Sequence, residues 1–164
     1  MKVLVVYFSR SGNTQKVAEA IFKEIESEKE IKKLDEIDNL EGYDLAFVGF
    51  PIEGFGPPKN AKKFLDNNCI GKRMALFITH SAPEGSTYLK DWLSKCKDAA
   101  EGTKLVGMFN CQGDLAQNVK EMMMKHEDPQ IRAWGEMAVP QGKPDKECLD
   151  RARAFAREIM EKEG

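Results

Sequence analysis

The sequence lacks most of the features that assign a chain of this size to a functional class. Lys and Arg number 25 against 27 Asp and Glu, so the net charge of -2 predicts neither a nucleic-acid surface nor attraction to an anionic membrane. No apolar run is long enough to span a bilayer, and no signal peptide precedes the first apolar segment. We therefore expect a cytoplasmic protein.

Metal-binding and catalytic patterns are also missing. The cysteines are Cys69, Cys96, Cys111 and Cys148. They are scattered and form no C-x-x-C pair, which argues against zinc and dithiol chemistry and favours reduced thiols. No Ser/His/Asp arrangement and no paired carboxylates stand out, so we expect neither catalytic side chains nor a metal site. There is no linker, repeat or low-complexity tract, which predicts a single domain over residues 1–164.

The sequence does contain a regular alternation of strand and helix patterns. Apolar runs predict strands at residues 3–8, 43–50, 74–79 and 105–111, with a weaker, more charged strand at 31–37. Apolar residues at helical spacing between the runs predict helices, the first lasting to about Glu28. Strands alternating with helices indicate an α/β fold with a parallel sheet and helices on both faces.

The segment between the fifth strand and the last helix is longer than a compact connection requires. Val119, Met122 and Met123 suggest one helix whose apolar face points inward. Asp128-Pro129 begins another helix, in which Trp134 and Met137 are expected to face the core. Residues 127–145 are either simple packing or a lid or partner platform.

The most informative stretch is the loop after the first strand, residues 9–14. Its members are Ser9, Arg10, Ser11, Gly12, Asn13 and Thr14. Gly12 allows a tight turn at positive φ, and the backbone N–H groups can then surround an anion at the start of the next helix. No Lys follows Gly12, which excludes a Walker loop, and a dinucleotide fingerprint would need three glycines here. Ser9, Ser11 and Thr14 add hydroxyl donors.

This hexapeptide resembles the FMN phosphate loop of flavodoxins, which reads Ser/Thr-x-Thr/Ser-Gly-x-Thr. The resemblance extends over nearly the whole chain and implies a flavodoxin-like three-layer sandwich with a five-stranded parallel sheet of order 2-1-3-4-5. It also implies FMN as the cofactor. In such a sheet a ligand binds outside the carboxyl ends of the strands, at the switch point between the first and third.

Two further loops reach the same sheet edge. In flavodoxins the loops after the third and fourth strands hold the two faces of the isoalloxazine ring. The first corresponds here to Pro51, Ile52, Glu53, Gly54, Phe55 and Gly56, and the second to Ser81, Ala82, Pro83, Glu84 and Gly85 after His80. Phe55 is the candidate stacking residue. The second loop has no Tyr or Trp, so backbone or Tyr88 is left to cover the other ring face.

Charge and hydrogen bonding near the flavin are the protein's means of setting its reduction potential. Glu53, Glu84 and Asp114 lie in or near the loops, and negative charge there would lower the potential. Gly54 or Gly56 would permit a peptide flip that offers a carbonyl to the N5–H of a flavin semiquinone. His80 either takes part in proton transfer or has no chemical role.

The resemblance implies a monomeric FMN-containing carrier that passes electrons between a reductase and an acceptor enzyme. The alternative is an FMN-dependent NAD(P)H:quinone-type oxidoreductase on the same fold, for which the long 127–145 segment is the one argument. A receiver-type signalling domain would need an acceptor Asp where Phe50-Pro51 stands, which excludes that class.

Overall fold

The computed structural model describes all 164 residues. The strands are β1 (Lys2–Tyr7), β2 (Glu28–Lys33), β3 (Leu45–Pro51), β4 (Arg73–His80) and β5 (Lys104–Gln112). The helices are α1 (Asn13–Glu24), α2 (Lys59–Asn68), α3 (Thr87–Ala99), α4 (Gln117–Met124), α5 (Pro129–Met137) and α6 (Lys146–Glu163). None of these helices combines the length and the apolar character needed to cross a lipid bilayer.

The strands form one parallel sheet of order β2-β1-β3-β4-β5, as predicted. The apolar runs of β1, β3 and β4 occupy its centre, where both faces are buried. One face packs against α1 and α6, and the other against α2 and α3. The expected three-layer sandwich is therefore confirmed. Because β1 lies between β2 and β3, the switch point falls at the carboxyl ends of β1 and β3.

The second strand begins earlier than the sequence pattern predicts. Helix α1 ends at Glu24 rather than near Glu28, because Lys29 of β2 donates hydrogen bonds to the carbonyls of Phe22 and Ile25 at its carboxyl end. The strand covers Glu28–Lys33 instead of 31–37, and a 3-10 turn follows it. Its charged residues remain at the sheet edge, where Glu30 pairs with Lys2 of β1 at 2.8 Å. Charge on an edge strand hides the alternation that marks more buried strands.

The expectation of inward-facing methionines was wrong. Met122 is 70% exposed and Met137 is 74% exposed, and α4 has no buried residue. The two helices instead pack closely against each other at Gly135, where an added Cβ would lie 2.9 Å from Cβ of Met123. Asp128 caps α5 by accepting from the Gln130 N–H, and Asp145 caps α6 by accepting from the Cys148 N–H. The α4–α5 hairpin thus rests against the domain through few buried side chains.

Candidate functional site

The loop between β1 and α1 adopts the turn that its glycine permits. Gly12 is the N-cap of α1 at φ 92°, in the left-handed region that residues with a Cβ rarely adopt. Its N–H donates to Oγ of Ser9 at 3.1 Å, and its carbonyl accepts from the N–H of Lys16 at 3.1 Å. This pair of bonds closes the loop over the first turn of the helix.

The other backbone donors of this loop have no acceptor within the protein. The N–H groups of residues 10, 11, 13, 14 and 15 make no hydrogen bond, and no side chain caps the helix. The first N–H groups of a helix need an external partner, and the helix dipole favours an anion there. The residues present therefore fit a phosphate group, which has enough oxygens to accept from several of these donors.

Side chains fix the start of α1 against the sheet. Oγ1 of Thr14 lies 2.7 Å from Oγ1 of Thr79 in β4, and both residues are buried. A hydroxyl both accepts and donates, so Thr14 can accept from Thr79 and still offer its own proton to an anion. Asn13 donates from Nδ2 to the Asp114 carbonyl at 2.9 Å, beside the buried Gly113. Any side chain at Gly113 would displace Asn13, because an added Cβ would lie 2.5 Å from Nδ2.

A charged pair joins the first loop to the second. Arg10 donates from Nε and Nη2 to the two carboxylate oxygens of Glu53, and its guanidinium also lies over the ring of Phe8. The Arg10 side chain therefore pairs with Glu53 and does not point toward the free N–H groups. The pair is largely exposed, so it contributes little to stability but fixes how the two loops face each other.

The second loop is a tight hairpin turn. The N–H of Glu53 donates to the Gly56 carbonyl at 2.9 Å, and the N–H of Gly56 donates back to the Glu53 carbonyl at 3.3 Å. The two residues between them, Gly54 and Phe55, have φ of 58° and 67°. Positive φ at both central positions is the type I′ arrangement, for which glycine is favoured and Phe is unusual. The structure thus holds Phe55 in a strained backbone conformation.

Phe55 belongs to a cluster of four aromatic rings, which we call the aromatic cluster. Its members are Phe55, Tyr88, Trp92 and Trp134. Phe55 packs against Trp92 with ring centroids 5.4 Å apart and against Trp134 at 5.6 Å. Tyr88 contacts the same two indoles at 5.1 and 5.6 Å. The cluster joins the second loop, α3 and α5, and Phe55 remains 39% exposed within it.

The third loop is held by His80 and Glu84. His80 lies at the end of β4, where its Nδ1 is 2.9 Å from the Ala82 carbonyl and its Nε2 is 3.1 Å from the Asn110 side-chain amide. Glu84 accepts from Nη2 of Arg151 in α6 at 2.7 Å. The loop is therefore anchored on both sides, to β5 and to α6, and its backbone faces the same edge as the first two loops.

His80 is buried, and this controls its protonation. Burial lowers the pKa of His80, while the contacts with Asn110 and Ala82 act in the opposite direction without overcoming it. In the neutral ring Nδ1 donates to the Ala82 carbonyl, and Nε2 lies against Oδ1 of Asn110. Both nitrogens are thereby used within the protein, which gives His80 a structural role.

The lowered pKa of His80 predicts a pH dependence of stability. The unfolded chain binds a proton at His80 near pH 6.5 and the folded protein only below that, so the free energy of unfolding should fall as pH drops through about 6.5. The slope from one such group is at most about 1.4 kcal/mol per pH unit. Urea unfolding at pH 7.5 and 5.5 measures the difference in the free energy of unfolding between the two pH values. It should shrink in His80→Asn and persist in His126→Asn, which alters an exposed histidine; an unchanged difference in His80→Asn would contradict the assignment.

All three acidic residues near the loops are already partnered. Glu53 is paired with Arg10 and Glu84 with Arg151, while Asp114 accepts from the N–H groups of Gln141 and Gly142 at 3.0 and 2.9 Å. Burial raises the pKa of Asp114, but these backbone donors outweigh it and the pKa lies below its usual range. The negative field expected from the sequence is therefore reduced by these partners, and Asp114 clamps the segment that follows α5.

The structure brings the three predicted loops to one edge of the sheet. The N–H groups of Phe8, Ile52 and Gly113 donate to the carbonyls of Gly49, Thr79 and His80, respectively, so sheet hydrogen bonds continue to the start of each loop. Tyr88 lies in the aromatic cluster, where it contacts both tryptophans. Sequence reasoning missed Trp92, Asn110 and Thr79 as neighbours of the loops. The only sequence signal for them was their position: Thr79 lies near the end of β4, Trp92 in the helix after β4, and Asn110 near the end of β5.

The thiols do not contribute reactive groups at this edge. All four cysteines are free and buried. Burial raises the pKa of Cys111 to about 12, and the same cause raises the pKa values of Cys69 and Cys96 to about 12. Cys111 at the end of β5 therefore acts as a small apolar side chain of the core.

Comparisons with known proteins agree with this arrangement. A flavodoxin domain model matches residues 4–157. The chain is 33% identical to the flavodoxin-like domain-containing protein BilS of Clostridioides difficile (strain CD3), over 98% of this chain and 97% of that protein. An archaeal flavodoxin structure shares the fold at TM-score 0.62 and 20% identity, covering 99% of each chain. A flavoprotein of Lactobacillus acidophilus NCFM in complex with FMN has a TM-score of 0.53 and 27% identity, over 66% of this chain and 92% of that one.

The fold and its edge site define a doubly wound α/β protein with free N–H groups at a helix N-terminus beside the switch point of the sheet. The chain belongs to the flavodoxin family, as the sequence motif indicated. The expectation of FMN is supported by the family and by the neighbour solved with this cofactor.

Proposed function

We propose that this protein binds FMN at the three-loop edge and transfers electrons between a reductase and an acceptor enzyme. The observation that supports this most strongly is the set of unpaired N–H groups of residues 10, 11, 13, 14 and 15, at the start of a helix and at the switch point of the sheet. Membership of the flavodoxin family and the FMN-bound neighbour support the same cofactor.

The residues divide into two binding parts. The free N–H groups of residues 10, 11, 13, 14 and 15 and the hydroxyls of Ser9, Ser11 and Thr14 would hold the phosphate. The turn at 53–56 and the backbone of 81–85 would hold the ring, with Phe55 offering its exposed surface. When bound, FMN supplies one- and two-electron transfer. The protein's contribution is to orient the ring, limit water around it and keep one edge accessible to a partner.

Partner recognition has little long-range electrostatic help. The net charge of -2 gives a weak overall field, so charge steering of the kind seen in strongly acidic carriers is small. We infer that the partners are recognised mainly by shape. Association should then depend only weakly on salt concentration.

A titration of the purified protein tests the proposal. FMN fluorescence should be quenched at micromolar or lower concentration, and the loaded protein should accept electrons from a flavodoxin reductase without oxidising NADPH by itself. A colourless protein that fails to quench FMN would contradict cofactor binding. Rapid NADPH oxidation in the presence of a quinone would contradict the carrier role and favour the NAD(P)H:quinone oxidoreductase.

A further inference from the structure

Trp134 lies on the α4–α5 hairpin, yet it contacts the loop expected to hold the flavin ring. Its indole packs edge-on against Phe55 at 5.6 Å and against Trp92 at 6.2 Å, and is tilted by 30° to the ring of Tyr88 at 5.6 Å. Phe55 therefore has one aromatic neighbour from α3 and one from α5. These two rings pack against Phe55, which remains 39% exposed.

The backbone of Phe55 needs this support. A non-glycine residue at φ 67° is strained, and such a conformation persists only where the surroundings hold it in place. Within the turn, only the two hydrogen bonds between Glu53 and Gly56 close the chain around Phe55. The Phe55 ring has no aromatic contacts other than Trp92 and Trp134.

The hairpin is closed by a bond within it and anchored at its end. Lys120 of α4 donates from Nζ to the carbonyl of Ala138 at the end of α5 at 2.7 Å, and Asp114 holds the backbone after α5 through Gln141 and Gly142. The same Asp114 supplies the carbonyl that accepts from Asn13 at the start of α1. Trp134 is thus carried on a segment that is anchored beside the phosphate loop and reaches across to the ring loop.

Building on the proposed function, we propose that Trp134 is a positioning residue for the flavin ring. It holds Phe55 in its positive-φ conformation, so that the exposed surface of Phe55 is fixed for stacking before the cofactor arrives. It does not act on the phosphate loop. The α4–α5 hairpin is then part of the cofactor site rather than simple packing.

Comparing two ligands distinguishes binding of the flavin ring from binding of the phosphate. Riboflavin carries the same isoalloxazine ring as FMN but no phosphate, so loss of ring positioning should weaken both by the same factor. We expect Trp134→Ala to weaken FMN and riboflavin each about tenfold, with their affinity ratio unchanged. Trp134→Phe should restore most of the loss, because it keeps an aromatic ring. Met137→Ala, on the exposed side of the same helix, should bind both as the wild type does.

A second readout uses the flavin-free protein. Chymotrypsin cleaves after exposed aromatic residues, so Trp134→Ala should be cut after Phe55 several-fold faster than the wild type, as followed by mass spectrometry. Trp134→Leu keeps apolar bulk without a ring and allows the comparison with Trp134→Phe if the alanine variant does not fold.

The outcomes distinguish the two proposals. If the wild type binds neither flavin, the proposed function fails. If the wild type binds both flavins and the folded variants Trp134→Ala and Trp134→Leu bind them equally well, only the role of Trp134 is overturned. A loss confined to FMN would also overturn it, since Trp134 would then act through the phosphate loop.

Discussion

Replacing Gly12 with Asp is expected to weaken FMN binding by at least about 100-fold, which corresponds to about 2.7 kcal/mol. Gly12 caps α1 at the centre of the unpaired N–H groups, and nothing lies within 4 Å of the position its Cβ would take. A carboxylate there would occupy the space in front of those donors and repel a phosphate. Two unit charges 4 Å apart repel by about 4 kcal/mol at the effective dielectric near a protein surface, and fluorescence titration measures the loss.

Two controls isolate the charge. Gly12→Asn adds a neutral side chain of the same size, and both Asn and Asp tolerate the left-handed conformation better than most residues. It should lose far less affinity than Gly12→Asp. Gly42→Asp places the same carboxylate at a glycine with φ 81° and open surroundings, in the turn before β3 at the opposite sheet edge. FMN affinity should be unchanged there.

The ligand provides a further check on the Gly12 prediction. Riboflavin has no phosphate, so its weaker binding should be nearly the same in the wild type and in Gly12→Asp. An equal loss of riboflavin and FMN would mean that the substitution damages the whole edge, and the phosphate assignment would then be wrong.

The sequence predicted well what depends on local pattern. Buried runs such as Val3–Phe8 have few alternatives to a central parallel strand, and a strand followed by a glycine-containing polar loop and a helix predicts an anion site. The charged strand Glu28–Lys33 was misplaced, because an edge position removes the need for apolar residues. The methionines of the α4–α5 hairpin were misjudged because an apolar residue at helical spacing does not reveal whether a neighbour covers it.

The remaining contacts are long-range and leave no local signal. Trp134 meets Phe55, and His80 meets Asn110, only because the sheet order brings their elements together. The pairing of charges is also long-range. The sequence suggested that Glu53 places negative charge near the flavin, but in the fold Arg10 pairs with it. A sequence motif can therefore indicate which loops form a site, while the fold decides which of their side chains remain available to a ligand.

Replacing Gly49 with Ala is expected to lower the free energy of unfolding by about 3 kcal/mol, near the upper end of the usual cost of overpacking a core. Gly49 lies in β3 directly beside Phe77 of β4, and a Cβ at Gly49 would overlap the Cδ2, Cε2 and Cζ atoms of that ring. Phe77 is fully buried in the central core, so its ring has no free space to enter. The melting temperature should fall by roughly 6–12 °C.

The matched control is Gly107→Ala in β5. Its Cβ would lie 2.5 Å from Cδ1 of Ile159 and 3.1 Å from Cε2 of Phe155, so the one severe contact is with a terminal methyl group rather than with three atoms of a rigid ring. Gly107→Ala should therefore cost about 1 kcal/mol or less. Removing the ring atoms should relieve the clash at Gly49, so that Gly49→Ala combined with Phe77→Leu is more stable than the sum of the two single changes predicts. The prediction would be contradicted if the changes in the free energy of unfolding were additive, or if Gly49→Ala were as stable as the wild type. Either result would mean that the sheet around Phe77 can shift to accommodate the added methyl group.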